Sequence, residues 1–185
     1  IHAVLNKSNY IMGEEIKQLE AELSTFTGTK HAITCSSGTD ASLLALMAMD
    51  IQPSDEIITT PFTFISTAET IASMKAKPVF VDIESDTFNI DANLIEAAIT
   101  DKTKAIMPVH LYGHPANMEE VMKIANKYNL RVLEDAAPAI GAKCNGKYCS
   151  TFGDVSVFSF QGAKMMVTGE GGIVLTNNDE VFSKI

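Results

Sequence analysis

With 185 residues and 46% hydrophobic content, the chain carries enough apolar material for one substantial core, in the size range of a single domain. Its formal net charge of −9, with 14 Lys and Arg scattered along the sequence, excludes nucleic acid and anionic membrane surfaces as partners, because both need clustered cations. The three cysteines, Cys35, Cys144 and Cys149, form neither a CxxC pair nor a metal spacing with histidine, so a reducing, cytoplasmic setting without disulfides or a metal site is expected.

No apolar stretch approaches the roughly 20 residues a membrane span requires, and no signal segment opens the chain. The sequence begins at Ile1 rather than Met and stops in a capped helix just starting at Asn178, which suggests a piece of something larger. Residues 1–29 are predicted as an N-terminal helical segment. Ile16, Leu19 and Leu23 share one helical face and Glu14, Glu15, Lys17, Glu20 and Glu22 fill the rest, so one amphipathic helix outside any sheet is expected.

From residue 30 onward, short β-branched or apolar runs alternate with amphipathic stretches. The predicted strands cover 31–35, 56–60, 78–82, 105–109, 131–134, 155–159 and 172–176, about seven in all. Helical patterns with apolar residues three and four apart fall at 40–49, 64–75, 91–99 and 117–128. This alternation predicts an α/β three-layer sandwich with a mostly parallel sheet. In such folds ligands sit beyond the carboxyl ends of the strands, so the loops there carry the chemistry.

Four of those loops hold candidate residues. Ser36-Ser37-Gly38-Thr39-Asp40 follows the first strand and opens a helix, which fits a phosphate cradle as well as an ordinary capped turn. Thr60-Pro61-Phe62-Thr63-Phe64 places Phe64 at the same edge, suited either to stacking on a flat heterocycle or to core packing. Glu134-Asp135-Ala136-Ala137 ends the fifth strand with carboxylates that need partners, whether a structural salt bridge or a protonated ring nitrogen. Finally, the run from Phe158 to Gly172 holds one lysine, Lys164, between an apolar strand and a glycine-rich turn; it suits a solvated cation or an enclosed amine nucleophile. A phosphate cradle, a stacking ring, an acid for a ring nitrogen and an enclosed lysine together meet the needs of pyridoxal phosphate.

These residues, with Pro108-Val109-His110-Leu111-Tyr112-Gly113 and Gly153-Asp154, resemble the DegT/StrS-type nucleotide-sugar aminotransferases of fold type I, from about Tyr10 to the last residue. The resemblance implies that residues 30–185 are a pyridoxal phosphate-binding large domain, truncated before a C-terminal small domain. It implies that Lys164 forms the Schiff base with the cofactor and shuttles the proton, that Asp135 pairs with the ring nitrogen, and that Phe64 stacks on the ring. Gly38, Thr39, Asp40 and Ser159 would hold the phosphate. An amino acid, usually glutamate, would give its amine to the cofactor, which passes it to a keto group on a nucleotide-linked deoxysugar. Related dehydratases keep His where Lys164 stands, so the lysine points to amination. The family's active sites are completed by a second subunit, which implies a homodimer. Pro138 departs from the Gln, His or Glu common at its position and implies altered tuning near the ring.

Two rival readings have sequence features to weigh. A non-catalytic regulatory homologue that binds cofactor or sugar nucleotide has no need of Lys164, and a nucleotide-binding oxidoreductase lacks its GxGxxG after the first strand. His110, Tyr112 and His114 are expected to serve structure or the substrate edge, because no acid stands at ligand spacing from them.

Overall fold

The computed structural model describes residues 1–185. In chain order the elements are α1 (His2–Lys7), α2 (Glu14–Thr27), β1 (His31–Cys35), α3 (Gly38–Ala48), β2 (Glu56–Thr59), α4 (Ser66–Ser73), β3 (Lys77–Phe80), α5 (Ala92–Ala98), β4 (Thr103–Ile106), α6 (Met118–Tyr128), β5 (Arg131–Asp135), β6 (Lys143–Cys144), β7 (Lys147–Tyr148), β8 (Val155–Ser159), β9 (Gly172–Thr176) and α7 (Asp179–Lys184). Seven strands form one sheet in the order β1-β9-β8-β5-β4-β2-β3. β9 runs antiparallel to both neighbours, β1 and β8, while the other pairs run parallel. The α/β sandwich with a mostly parallel seven-stranded sheet is therefore the fold observed.

The two faces of the sheet are covered by alternate residues of the same strands, as the two-residue period of a strand requires. Ile57, Leu133, Val157 and Val174 pack with Ala41, Leu46 and Ile71 of α3 and α4. On the opposite face Ile58, Ile106 and Val132 pack with Ile95, Val121 and Ile124 of α5 and α6. Leu23 of α2, with Leu19 beside it, covers Phe158, Ile173 and Leu175. Strands buried on both faces read as near-continuous apolar runs, which is why the sequence showed them clearly.

Three local features differ from expectation. The N-terminal segment contains a second, six-residue helix, α1, which buries no side chain and ends at Ser8 in the left-handed region (φ 52°). β6 and β7 form a small hairpin around Asn145-Gly146, both at positive φ (49° and 82°), as the favoured two-residue hairpin turn demands. The fourth strand stops at Ile106, although the Met107 N–H still donates to the Ile58 carbonyl at 2.8 Å and Val109 bridges to Asp135. The interruption falls at Pro108, which has no N–H to give.

Candidate active site

The carboxyl ends of β1 and β8 come together because β9 lies between them and starts where they finish. Gly172 pairs with Cys35 on one side and with Ser159 on the other. Both glycines at this junction are forced by closeness: a Cβ on Gly38 would lie 2.6 Å from Ser159 Cβ, and one on Gly172 would lie 2.2 Å from the Ser37 carbonyl oxygen. The amino end of α3 is thereby pressed against the last residue of β8.

That helix end has donors to spare. Ser37 is its N-cap, and the Ser37 hydroxyl accepts from the Asp40 N–H at 3.0 Å. The Gly38 and Thr39 N–H groups find no acceptor within the chain, as expected for the first turn of a helix, and the Thr39 hydroxyl has no partner either. Gly38, Thr39 and Ser159 all line a cleft of about 870 Å³. Asp40 sits differently. Its carboxylate is taken by the Ser36 and Ser37 hydroxyls, bonds that hold it below the usual Asp range, and it does not line the cleft.

Asp135 lies on the floor of the cleft at the end of β5, only 6% exposed. Each carboxylate oxygen has one donor: the Thr67 hydroxyl reaches Oδ2 at 2.9 Å and the Ala137 N–H reaches Oδ1 at 3.2 Å. Burial pushes this carboxyl above the usual Asp range, and the two hydrogen bonds and the charge of Lys164 pull the other way. Lys164 is the one cation among the residues lining the cleft, and its ammonium pairs with no carboxylate. Phe64 stands at the rim, 69% exposed, and Pro138 is part of the wall. The structure thus gathers Gly38, Thr39, Phe64, Asp135, Ser159 and Lys164 around one cleft.

Sequence reasoning missed what holds Asp135 in place. Thr67 is 1% exposed on α4, one turn after Thr63, and the i, i+4 pair of threonines beside the Phe64 loop was the available signal. The acid next to Asp135 was also underestimated. Glu134 is fully buried and accepts from the Ser150, Phe152 and Gly153 N–H groups at 2.7–2.9 Å. It also receives His110 Nε2 at 3.1 Å. The Ala116 N–H donates to His110 Nδ1, which places the ring proton on Nε2 and makes Glu134 its acceptor. His110 therefore has the acidic partner that sequence spacing hid, and the pair ties the loops on both sides of β5 together. The His110 N–H in turn donates to the Asp135 carbonyl. Neither Cys35 nor Cys149 offers a rival nucleophile: burial pushes the Cys35 thiol up to about 11 and Cys149 up to about 12.

A cleft at the carboxyl edge of this sheet holds one lysine, a buried acid and a free helix end, and the fold around it matches a solved aminotransferase from Psychrobacter cryohalolentis (TM-score 0.96, 41% identity, 99% of this chain and 47% of that one). The profile of the DegT/DnrJ/EryC1/StrS aminotransferase family matches residues 1–185, and the chain belongs to that family. It is 50% identical over 182 residues to the pleiotropic regulatory protein of Geobacillus stearothermophilus, covering 98% of this chain and 49% of that protein. To the UDP-N-acetyl-3-dehydro-alpha-D-glucosamine 3-aminotransferase of Acidithiobacillus ferrooxidans it is 46% identical over 186 residues, covering 100% and 50%. Among solved structures it resembles ntda of Bacillus subtilis, determined with bound cofactor PMP (TM-score 0.93, 38% identity, 99% of this chain and 41% of that one). The chain spans about half the length of the curated relatives it matches.

Proposed function

We propose that the protein is a pyridoxal phosphate-dependent aminotransferase that moves an amino group from an amino acid, with glutamate as the expected donor, to a keto group of a nucleotide-linked deoxysugar. The observation that carries this reading is the unpaired Lys164 ammonium in the same cleft as the buried Asp135. The site fits the cofactor on its own geometry. The unspent Gly38 and Thr39 N–H groups, with the Thr39 and Ser159 hydroxyls, suit a phosphate held at a helix end, and the Gly38–Ser159 contact leaves no room for a side chain there.

Bound pyridoxal phosphate supplies an electron sink that lets an amine leave one carbon and join another. Lys164 would supply the nucleophilic amine that holds it, and the same amine would take up and return the proton of the substrate carbon. Asp135 is shaped to hold a positive charge on a ring nitrogen, because a cation there offsets the burial that otherwise disfavours its carboxylate. Phe64, exposed at the rim, would cover the ring face. Asp40 contributes at one remove, by fixing the Ser36 and Ser37 hydroxyls at the helix start.

The nucleotide-sugar acceptor rests on the Acidithiobacillus relative, and the cofactor on the PMP-bound ntda structure. A cytoplasmic location and assembly as a homodimer complete the reading; no helix is long and apolar enough to cross a membrane. A regulatory role, suggested by the name of the Geobacillus relative, leaves Lys164 without a task. The test is spectroscopic. Full-length protein is expected to show the visible absorbance of the lysine-bound cofactor, and Lys164→Ala is expected to lose that band and all transamination with glutamate and a panel of keto-sugar nucleotides. Absence of the band in wild type, or its unchanged survival in Lys164→Ala, overturns the assignment.

A further inference from the structure

Asp135 needs more than burial to work as a partner for a cationic ring nitrogen. It must stay ionised in a desolvated site and keep one oxygen lobe turned to the ligand. Two threonines on and beside α4 are placed to do this. The Thr67 hydroxyl, 1% exposed, donates to Asp135 Oδ2 at 2.9 Å. Its oxygen lies 3.2 Å from the Thr63 hydroxyl, and Thr63 lines the cleft. Because Thr67 spends its only proton on the carboxylate, Thr63 must be the donor in the second bond, giving a directed chain from Thr63 through Thr67 to Asp135. The Ala137 N–H fixes the other oxygen, so the carboxylate is held at both ends.

We infer that Thr67, oriented by Thr63, is a positioning residue that keeps Asp135 ionised and aimed at the ring nitrogen of the cofactor. This rests on the pyridoxal phosphate reading above and deepens it. The hydroxyl acts because a donor stabilises the charged form of the acid and leaves its neutral form with a surplus proton. The other titratable groups that act on Asp135 are Lys164 at the cleft and His110, whose backbone N–H donates to the Asp135 carbonyl. Neither replaces Thr67 as a donor to Oδ2.

The experiment uses full-length protein in two arms. In cofactor-free protein, the Asp135 carboxyl is titrated by difference infrared spectroscopy against Asp135→Asn. Thr67→Val is expected to move that titration to higher pH, and Thr67→Ser to restore it. In the second arm, Thr67→Val is expected to weaken binding of added pyridoxal phosphate about 10-fold to 100-fold, the range for losing a hydrogen bond to a charge. In an Asp135→Asn background the same change should have little further effect. Thr63→Val, which leaves the inner bond in place, is expected to act in the same direction more weakly and keeps the test open should Thr67→Val not fold. An unmoved titration in both variants overturns the inference, as does a full loss of affinity from Thr67→Val in the Asp135→Asn background, which marks a packing effect. A shifted titration in a protein that binds no pyridoxal phosphate upholds the positioning role while removing the cofactor reading.

Discussion

At the scale of single residues, Asp135 ties stability to function with opposite signs. Burial lifts its pKa in the folded chain, so without a bound cation the fold holds that proton more tightly than the unfolded chain does. Raising the pH from the unfolded Asp value through the higher folded value therefore removes stability, and lowering it restores stability. Asp135→Asn keeps an acceptor for Thr67 but carries no charge. In cofactor-free protein, denaturant titrations run upward from the ordinary Asp value should show wild type losing stability with a slope that Asp135→Asn flattens. The same substitution should weaken binding of pyridoxal phosphate at least as much as Thr67→Val does, leaving a measurable residual affinity. A variant as pH-sensitive as wild type would show that Asp135 is not the source of the slope. That Lys164 and Asp135 stand out as candidates was legible because their residue types are rare in apolar surroundings, and the fold brings both to one cleft. Thr67 was not, since a threonine on a helix is chemically commonplace until the fold brings Asp135 within 2.9 Å of it.

At the scale of elements, helix α2 does more than cover the sheet. Glu20 Oε1 accepts from both the N–H and the hydroxyl of Thr34, each at 2.8 Å. Thr34 lies on β1, an edge strand of the sheet, and its N–H is one that edge strands leave open to other chains. Glu20→Ala should lower stability by about 1–3 kcal/mol, the cost of leaving such groups without a charged acceptor. Differential scanning calorimetry measures this, with Glu22→Ala, on the exposed side of the same helix, as the comparison. A Glu20→Ala midpoint equal to that of Glu22→Ala would remove the edge-capping role. The sequence marked α2 correctly by its apolar stripe, yet gave Glu20 no task beyond filling the rest of the helix, because helical periodicity sorts faces and says nothing about which strand lies alongside. The Asn145-Gly146 hairpin was missed for the converse reason: its turn chemistry was explicit, but two-residue strands carry no periodicity.

At the scale of the whole molecule, one group of uncovered apolar side chains stands near the cleft mouth, apart from those of the N-terminal segment. Phe64, Ile65, Tyr112 and Met165 are 66–75% exposed. Large apolar side chains left in water beside a functional cleft fit a surface that another protein covers, and the family resemblance makes a second copy the expected cover. Sedimentation velocity on full-length protein should show a dimer for wild type and a monomer for Ile65→Glu. A dimer undisturbed by that charge would place the interface elsewhere. The layers and the mostly parallel sheet were legible, since alternation of strand and helix dictates a parallel sheet; the strand order and the antiparallel placement of β9 were not, because no spacing rule predicts where a strand inserts.

The position of β9 also dictates the order in which the site is made. β1 touches the rest of the sheet only through β9, so it waits for a strand far later in the sequence. On a ribosome, the segment bearing Gly38 and Thr39 emerges long before Ser159 and Gly172, the residues it must meet, and such distant pairings close slowly. The corner between Gly38 and Ser159 therefore exists only once these distant segments have met. A phosphate group held there, as proposed above, would bind only chains in which that meeting is complete.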